Sequence, residues 1–398
     1  MVSAGTQQPV LPDTPAAASL NRTRIVDIPG IDVDDAVRGK QAYHLLSAPA
    51  LIRYARDAAD ALRLPDVYRD ADPATPEVRQ GLPRYVDACL RAEAATVREA
   101  AEAVARRLGR NLGHLAVALS RGDPVNRAAR DDWSDAAWDV WGTIRSYQLG
   151  GGIVSGELGD RLIHHARQFL TESGYAGALS IHKTPRPRHM GLLGVGRTLP
   201  SLVRMADLRA VCMDLGQTSV KRAILHYEAG VLARLQWLPS APVRWQWQNR
   251  PDAGEGIDPE KVLAFTAHTI AEGLRMAREE DPPPCDRVGM SVAAYVRDGR
   301  LLGHGLYARM DSLSDDAAQL IADAVARMGD FRIRPIIVHD GTAAAALHAG
   351  GANTAVLVIG TAIGVGFPPD PAEGLCPIAS DLRMGIDNEP AGPEGDGG

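Results

Sequence analysis

No stretch of the 398-residue chain approaches about eighteen uninterrupted apolar positions, so no membrane-spanning helix is expected. The N-terminus has no charged start followed by an apolar core, and no signal peptide is expected either. Cysteine is scarce: Cys89, Cys212, Cys285 and Cys376 stand apart and form no Cys-x-x-Cys pair. That argues against a zinc site built on cysteine and suits isolated thiols in a reducing cytoplasm. A basic stripe is missing too. The 43 basic and 49 acidic residues are mixed along the chain for a formal charge of −6, which speaks against a nucleic-acid partner. What the chain does hold is apolar material: 45% hydrophobic residues over this length suffice for two domains with substantial cores.

Residues 1–20 and 387–398, rich in Gly, Pro and small polar residues, are expected to be disordered. Between them the chain divides near Thr198-Leu-Pro200. The first part is mainly helical. Apolar spacing predicts a helix over 42–64, and the Ala/Arg/Leu-rich stretch 82–119 reads as two helices broken near Gly109 or Gly113. Trp133, Trp138 and Trp141 fit one side of a short helix and read as packing residues. A strand over 143–149 runs into Gly150-Gly151-Gly152, followed by a helix over 157–173 and a strand over 178–182. The second part alternates. Strands are predicted at 210–215, 221–228, 231–237, 287–296, 333–339 and 355–359, with helices at 259–278, 315–328 and 342–348. Such alternation predicts an α/β architecture with mixed sheets.

Three strand ends carry chemistry. In Val211-Cys-Met-Asp214-Leu-Gly216-Gln217-Thr218-Ser-Val-Lys221, an apolar run meets a tight turn bearing a carboxylate, a glycine, a hydroxyl and an ammonium. A hairpin of that kind can offer backbone N–H groups, Thr218 and Lys221 to phosphate oxygens while Asp214 faces a metal ion. In Ile336-Ile-Val-His339-Asp340-Gly-Thr342, a strand delivers Asp340 at its C-terminal tip, where α/β folds present reactive groups. There Asp340 can act as general base in phosphoryl transfer, or simply cap the following helix. His339 reads equally as a satisfied core histidine. In Val358-Ile-Gly360-Thr361-Ala-Ile-Gly364-Val-Gly366 a strand enters glycines spaced to wrap an anion. No Gly-Lys-Ser/Thr follows, so this is no Walker A loop, and it is no Gly-x-Gly-x-x-Gly dinucleotide fingerprint. The turn Gly150-Gly151-Gly152-Ile-Val-Ser155 offers bare backbone to a flat nucleoside.

Together these segments resemble the sugar-kinase/actin/chaperone ATPase superfamily, and in particular the ROK family of sugar kinases and repressors. Asp214-Leu-Gly-Gln-Thr-Ser-Val-Lys221 looks like the family's first phosphate motif, and His339-Asp340-Gly-Thr-Ala-Ala-Ala-Ala is similar to the segment holding its catalytic base. Gly360-Thr-Ala-Ile-Gly-Val-Gly366 resembles the second phosphate motif, and the glycine triplet resembles the adenosine turn. The order is rearranged, since the triplet precedes Asp214. Leu45-Leu-Ser-Ala-Pro-Ala-Leu51 and Gly191-Leu-Leu-Gly-Val-Gly196, similar to segments of the family's C-terminal half, also lie early. The resemblance therefore implies a circular permutation, physically plausible because domain termini tend to be superficial and close together.

The implied fold is two ribonuclease-H-like α/β domains with an interdomain cleft. Residues 21–200 correspond to the family's C-terminal half, 207–340 to the first phosphate domain with substrate-facing strands, and 341–386 to a second phosphate segment completing the first-half domain. The implied ligands are ATP and magnesium. Asp214 would bind magnesium through water. Gly216, Gln217, Thr218, Lys221, Gly360, Thr361 and Gly364 would surround the phosphates, Gly151 and Gly152 the adenosine, and Asp340 would deprotonate the acceptor. The acceptor would be a sugar, aminosugar or cyclitol, with His339, His304, Asp381 and Arg383 as candidate specificity residues, in a cytoplasmic protein for which a homodimer stays open. Departures lie on the acceptor side: Ala293-Ala294 replaces Pro-Gly, Gly305-Leu306 replaces Asn-Leu, and His339 replaces Asn. Gln217 replaces a glycine, and the family's zinc cluster is absent, so no structural zinc is expected. Two other readings remain: a non-catalytic ligand-binding or regulatory relative, and an ATPase of the same superfamily.

Overall fold

The computed structural model describes residues 19–73, 75–199, 207–243, 247, 256–279, 283–303, 305–370 and 374–385. The chain divides into two compact units, Met1–Met190 with Gly350–Pro368 and Gly191–Ala349 with Pro369–Gly398. Both are mixed α/β. The expected division near 200 falls at 190/191, and the segment 341–386 is shared between the units, only 350–368 of it joining the first. The stretches expected to be disordered lie outside the described residues, apart from Ser19 and Leu20; Leu20 is buried in the core of the first unit.

With strands numbered along the chain, the first unit holds a short ladder of β1 (Arg24–Ile25) and β2 (Lys40–Gln41) and a four-stranded sheet. That sheet is made of β3 (Ser146–Gly150), β4 (Ser180–Lys183), β12 (Thr354–Ile359) and β13 (Ile363–Gly366), in the order β13-β12-β3-β4. β12, β3 and β4 run parallel, and β13 returns antiparallel to β12. The interior position of β12 explains its apolar run. Ala355, Val356, Leu357 and Ile359 are all buried, and a fully buried Val, Leu or Ile contributes about 1.5–3 kcal/mol.

The helices of this unit correct one expectation. The stretch 82–119 is not broken at Gly109 or Gly113. Its break lies between the helices Pro76–Cys89 and Ala95–Arg121. Both glycines sit inside the longer helix, where the helix Glu157–Glu172 crosses it. A Cβ on Gly109 would meet the Leu162 carbonyl oxygen at 2.4 Å, and one on Gly113 the Phe169 ring at 2.4 Å. They permit close helix packing rather than ending a helix. The region 42–64 likewise forms three pieces, Tyr43–Leu46, Ala48–Asp57 and Ala59–Leu62. The three tryptophans are packing residues: Trp133 stacks on Trp141 with centroids 6.1 Å apart, and all three are buried.

The second unit is built on a six-stranded sheet in the order β11-β8-β5-β6-β7-β14. Its strands are β5 (Leu208–Leu215), β6 (Ser219–Glu228), β7 (Val231–Pro242), β8 (Arg287–Val292), β11 (Arg334–His339) and β14 (Ile378–Met384). β5, β6 and β7 form an antiparallel meander; β8 runs parallel to β5, β11 parallel to β8, and β14 parallel to β7. Alternation along β5 assigns the faces. Val211, Met213 and Leu215 enter a core with the helices Pro259–Arg278 and Ala317–Ala326. Ala210 and Cys212 enter another with the helices Met190–Thr198 and Asp340–Ala346. Asp214 shares the parity of Ala210 and Cys212. On the other face, the buried guanidinium of Arg222 is satisfied by the Pro239 and Thr269 carbonyls and by Glu272, whose carboxyl it holds below the usual range.

The stretch 287–296 is not one strand. β8 ends at Val292, and after Ala293-Ala294 a hairpin of β9 (Tyr295–Arg297) and β10 (Arg300–Leu302) begins. Its turn residues, Asp298 and Gly299, have φ of 50° and 82°, the left-handed pair that a two-residue hairpin requires. Among the described residues, no helix is long and apolar enough to cross a membrane.

Candidate functional site

In the second unit the β5–β6 hairpin sets Asp214 directly across from Lys221, with Oδ2 and Nζ 3.2 Å apart. The Ser291 hydroxyl on β8 donates to Asp214 Oδ1 at 2.9 Å. The carboxylate is thus held between an ammonium and a hydroxyl on neighbouring strands. Space for it comes from Gly191, where a Cβ would lie 2.5 Å from Asp214 Oδ1 and 2.7 Å from Ser291 Oγ. In the turn, Gly216 N–H donates to the Ser219 carbonyl at 3.2 Å, and the Gly216 carbonyl accepts from the Tyr307 hydroxyl at 3.1 Å. The Gln217 amide donates to the Ala293 carbonyl at 3.2 Å. Its side chain therefore ties the turn to the end of β8, leaving backbone and Thr218 as the turn's groups for an anion.

Register places the second carboxylate at the same end of this sheet. Asp214 pairs with Ser291, which pairs with Val338, and Asp340 follows at the tip of β11. Two interstrand spacings, roughly 10 Å, separate β5 from β11. The helix begins at Asp340, and its cap is His339, whose Nδ1 accepts from Thr342 N–H at 3.4 Å. The cap role open to Asp340 thus belongs to its neighbour. Asp340 Oδ1 accepts from Gly341 N–H at 2.6 Å and lies 3.1 Å from His339 Nε2. The His339 ring stacks on Tyr295 of β9, with centroids 4.7 Å apart and planes at 22°.

Loss of hydration raises the pKa of Asp340 above the ordinary carboxylate value. His339, the Gly341 N–H and Lys221 oppose that rise, while the charge of Asp214 adds to it. Burial lowers the pKa of His339, with Asp340 opposing. The donor set also suits a hard divalent cation. Asp214 offers carboxylate oxygen beside a hydroxyl, the oxygen donors such a cation takes, though among the described residues no three His, Cys, Asp or Glu side chains gather to hold one.

In the first unit the glycine turns share the C-terminal edge of the parallel strands. Gly150 ends β3 opposite Val358 of β12. Gly151 has φ of 96°, donates to the Pro187 carbonyl at 2.8 Å, and approaches Ile359 so closely that a Cβ would lie 2.3 Å from its oxygen. Gly152 and Gly360 differ: a Cβ on either would meet nothing within 4 Å. The side-chain direction of each faces open space, but the backbone is partly engaged: Gly360 N–H donates to the Ala362 carbonyl at 3.0 Å, its carbonyl accepts from Ala48 N–H at 2.7 Å, and the Gly152 carbonyl accepts from the Ser155 hydroxyl at 2.7 Å; Thr361 lies beside Gly360. Gly364 is a β13 ladder residue paired with Val358. The helix Glu157–Glu172 already has a carboxylate at its start, Asp87 Oδ1 accepting from Leu158 N–H at 2.8 Å. That end is neutralised, so the turn before it suits an uncharged nucleoside better than a phosphate.

Each unit therefore gathers one subset of the expected residues: Asp214, Gly216, Gln217, Thr218, Lys221, His339 and Asp340 in the second, and Gly151, Gly152, Gly360, Thr361 and Gly364 in the first. Asp381 and Arg383 are not brought to the Asp340 end. They lie on β14, the edge opposite β11 and five spacings, roughly 24 Å, away, where Arg383 pairs with Glu228. A role for them in binding the acceptor at Asp340 does not fit this sheet. His304 lies outside the described residues. Sequence reasoning missed Ser291, Tyr295 and Gly191 as site residues. Ser291 had a signal, a hydroxyl inside an apolar strand, whereas the other two depend on tertiary contacts. The chain matches no protein-family model and no curated protein.

Proposed function

We propose that this chain is an ATP-dependent kinase that phosphorylates a hydroxyl of a sugar, aminosugar or cyclitol, with Asp340 as general base. The carrying observation is the juxtaposition in one sheet of the Asp214–Lys221 hairpin and Asp340, close enough for Asp214 to raise the proton affinity of Asp340. Topology supports the underlying ribonuclease-H-like reading. The strands β7-β6-β5-β8-β11 follow the order 3-2-1-4-5, with strands 1 to 3 antiparallel and 4 and 5 parallel to the first. In the first unit β13-β12-β3-β4 follow 2-1-4-5, but strands 4 and 5 come earlier in the chain. That is the order a circular permutation would leave.

In this reading Asp340 takes the proton of the acceptor hydroxyl, and the freed oxygen attacks the γ-phosphorus as the bond to the β-phosphate oxygen breaks. ADP leaves with that electron pair, and Asp340 returns its proton to solvent. The raised proton affinity of Asp340 favours the first transfer. Lys221 and the backbone of the 216–218 turn would hold phosphate oxygens. A magnesium ion held by Asp214 through water would neutralise phosphate charge.

The test is ADP release measured across a panel of sugars, aminosugars and cyclitols, with Asp340→Asn alongside. Acceptor-dependent turnover abolished by the substitution supports the kinase. Turnover indifferent to acceptor points to an ATPase, and nucleotide binding without turnover to a regulatory protein.

A further inference from the structure

The pair at the tip of β11 carries more than a base. The Thr342 N–H is directed at His339 Nδ1 at 3.4 Å, and the Thr342 hydroxyl oxygen lies 3.4 Å from the same nitrogen; in the tautomer in which Nδ1 accepts from that N–H, the ring proton sits on Nε2. Nε2 lies 3.1 Å from Asp340 Oδ1, an oxygen that already accepts from Gly341 N–H at 2.6 Å. Oδ1 thus has two donors, while Oδ2 has no hydrogen-bond partner among the described residues. The stack on Tyr295 fixes the ring plane that this arrangement needs.

We propose that His339 is a positioning residue that orients Asp340 through Nε2–H, so that Oδ2 alone meets the acceptor hydroxyl; the proposal rests on the kinase reading. His339 itself need not touch the acceptor. A helix cap and a single donor are joined in one ring, and Tyr295 holds that ring from the β9–β10 hairpin.

The two functions of the ring can be separated. An asparagine at this position places its side-chain amide near the site of Nδ1, and it caps helices well, but it falls short of Asp340 Oδ1. A glutamine reaches the site of Nε2 and can donate there. Steady-state kinetics of His339→Asn and His339→Gln in the full chain decide the matter. His339→Asn should lose about 100-fold in kcat, the scale of a 1 Å misplacement of a reacting group, with the acceptor KM within about 2-fold of wild type. His339→Gln should recover to within about 10-fold of wild type. A residue acting only as a cap would give the reverse ranking, and a change confined to acceptor KM would make His339 a contact residue; either overturns the proposal.

A spectroscopic readout stands apart from activity. Nitrogen-15 NMR of the resting protein should show His339 protonated at Nε2 and bare at Nδ1, with the Nε2 resonance moved in Asp340→Asn. The opposite tautomer overturns the proposal whatever the turnover. A wild-type protein that phosphorylates no acceptor overturns the kinase reading and the catalytic use of this pair together. The tautomer distinguishes that failure from a wrong hydrogen bond.

Discussion

Replacing Gly191 by alanine probes the link between packing and site most directly. Gly191 lies in the first turn of the helix Met190–Thr198, and its Cα faces the carboxylate of Asp214. The added Cβ would sit 2.5 Å from Oδ1 and 2.7 Å from Cγ, about 1 Å short of ordinary non-bonded separation. Asp214 has two side-chain torsions, and both carboxylate oxygens are engaged, by Ser291 and Lys221. It cannot yield without loosening the Ser291 bond, a hydrogen bond to a charged group worth about 1.5–3 kcal/mol. Alanine in place of glycine returns up to about 1 kcal/mol of helix propensity. The expected net loss is about 0.5–2 kcal/mol, or roughly 1–8 °C in Tm at about 2–4 °C per kcal/mol for a unit of this size. On the proposed kinase function, a 1 Å displacement of Asp214 should also lower acceptor-dependent ADP release by about 100-fold. Gly142→Ala is the control, because its nearest neighbour, the Ser120 carbonyl oxygen, lies at an ordinary 3.7 Å; it should be neutral or slightly stabilising. Calorimetry and the kinase assay on both variants suffice. A Gly191→Ala protein that melts with wild type would refute the steric reasoning.

Other outcomes follow from the same geometry. Gly151→Ala should destabilise the fold by more than about 1 kcal/mol, from its positive φ and the Ile359 backbone, whereas Gly152→Ala should fold normally and bind ATP more weakly; equal unfolding midpoints would contradict this. Asp340 has a raised folded-state pKa, so its contribution to stability is full below the unfolded value near 3.8 and is lost as pH rises through the folded value. Asp340→Asn should therefore be more stable than wild type above that window and, on the proposed kinase function, inactive; urea midpoints that stay parallel across pH would argue otherwise. Gly109→Ala should destabilise despite its better helix propensity, by about 1–3 kcal/mol of overpacking less about 1 kcal/mol gained; a raised melting temperature would show that the two helices separate freely.

Element type was largely legible because apolar period is a local property. The helix expected over 259–278 is Pro259–Arg278, and the buried runs near 210–215 and 355–359 are strands. The glycines at 109 and 113 misled because a glycine that admits a neighbouring helix looks, in one dimension, like one that ends its own. Sheet order was the other blind spot. Asp381 and Arg383 stood as specificity candidates through the family resemblance, which says nothing about which edge of the sheet their strand occupies. At the tip of β11, pattern located two polar residues but not their division of labour. The cap belongs to His339 because its ring reaches Thr342 N–H, a matter of side-chain direction.

The interrupted path of the first unit has a consequence for its biosynthesis. β12, an interior strand of that sheet, emerges about 160 residues after the N-terminal part of the unit is finished. At about 5–20 residues per second, the nascent chain carries an unpartnered β3 edge for roughly 8–30 seconds. During that interval it is a template for mispairing, and ribosome-associated chaperones have a clear target. Fragments ending before residue 350 are expected to stay in that state, which makes residues 350–368 a condition for soluble expression of the first half.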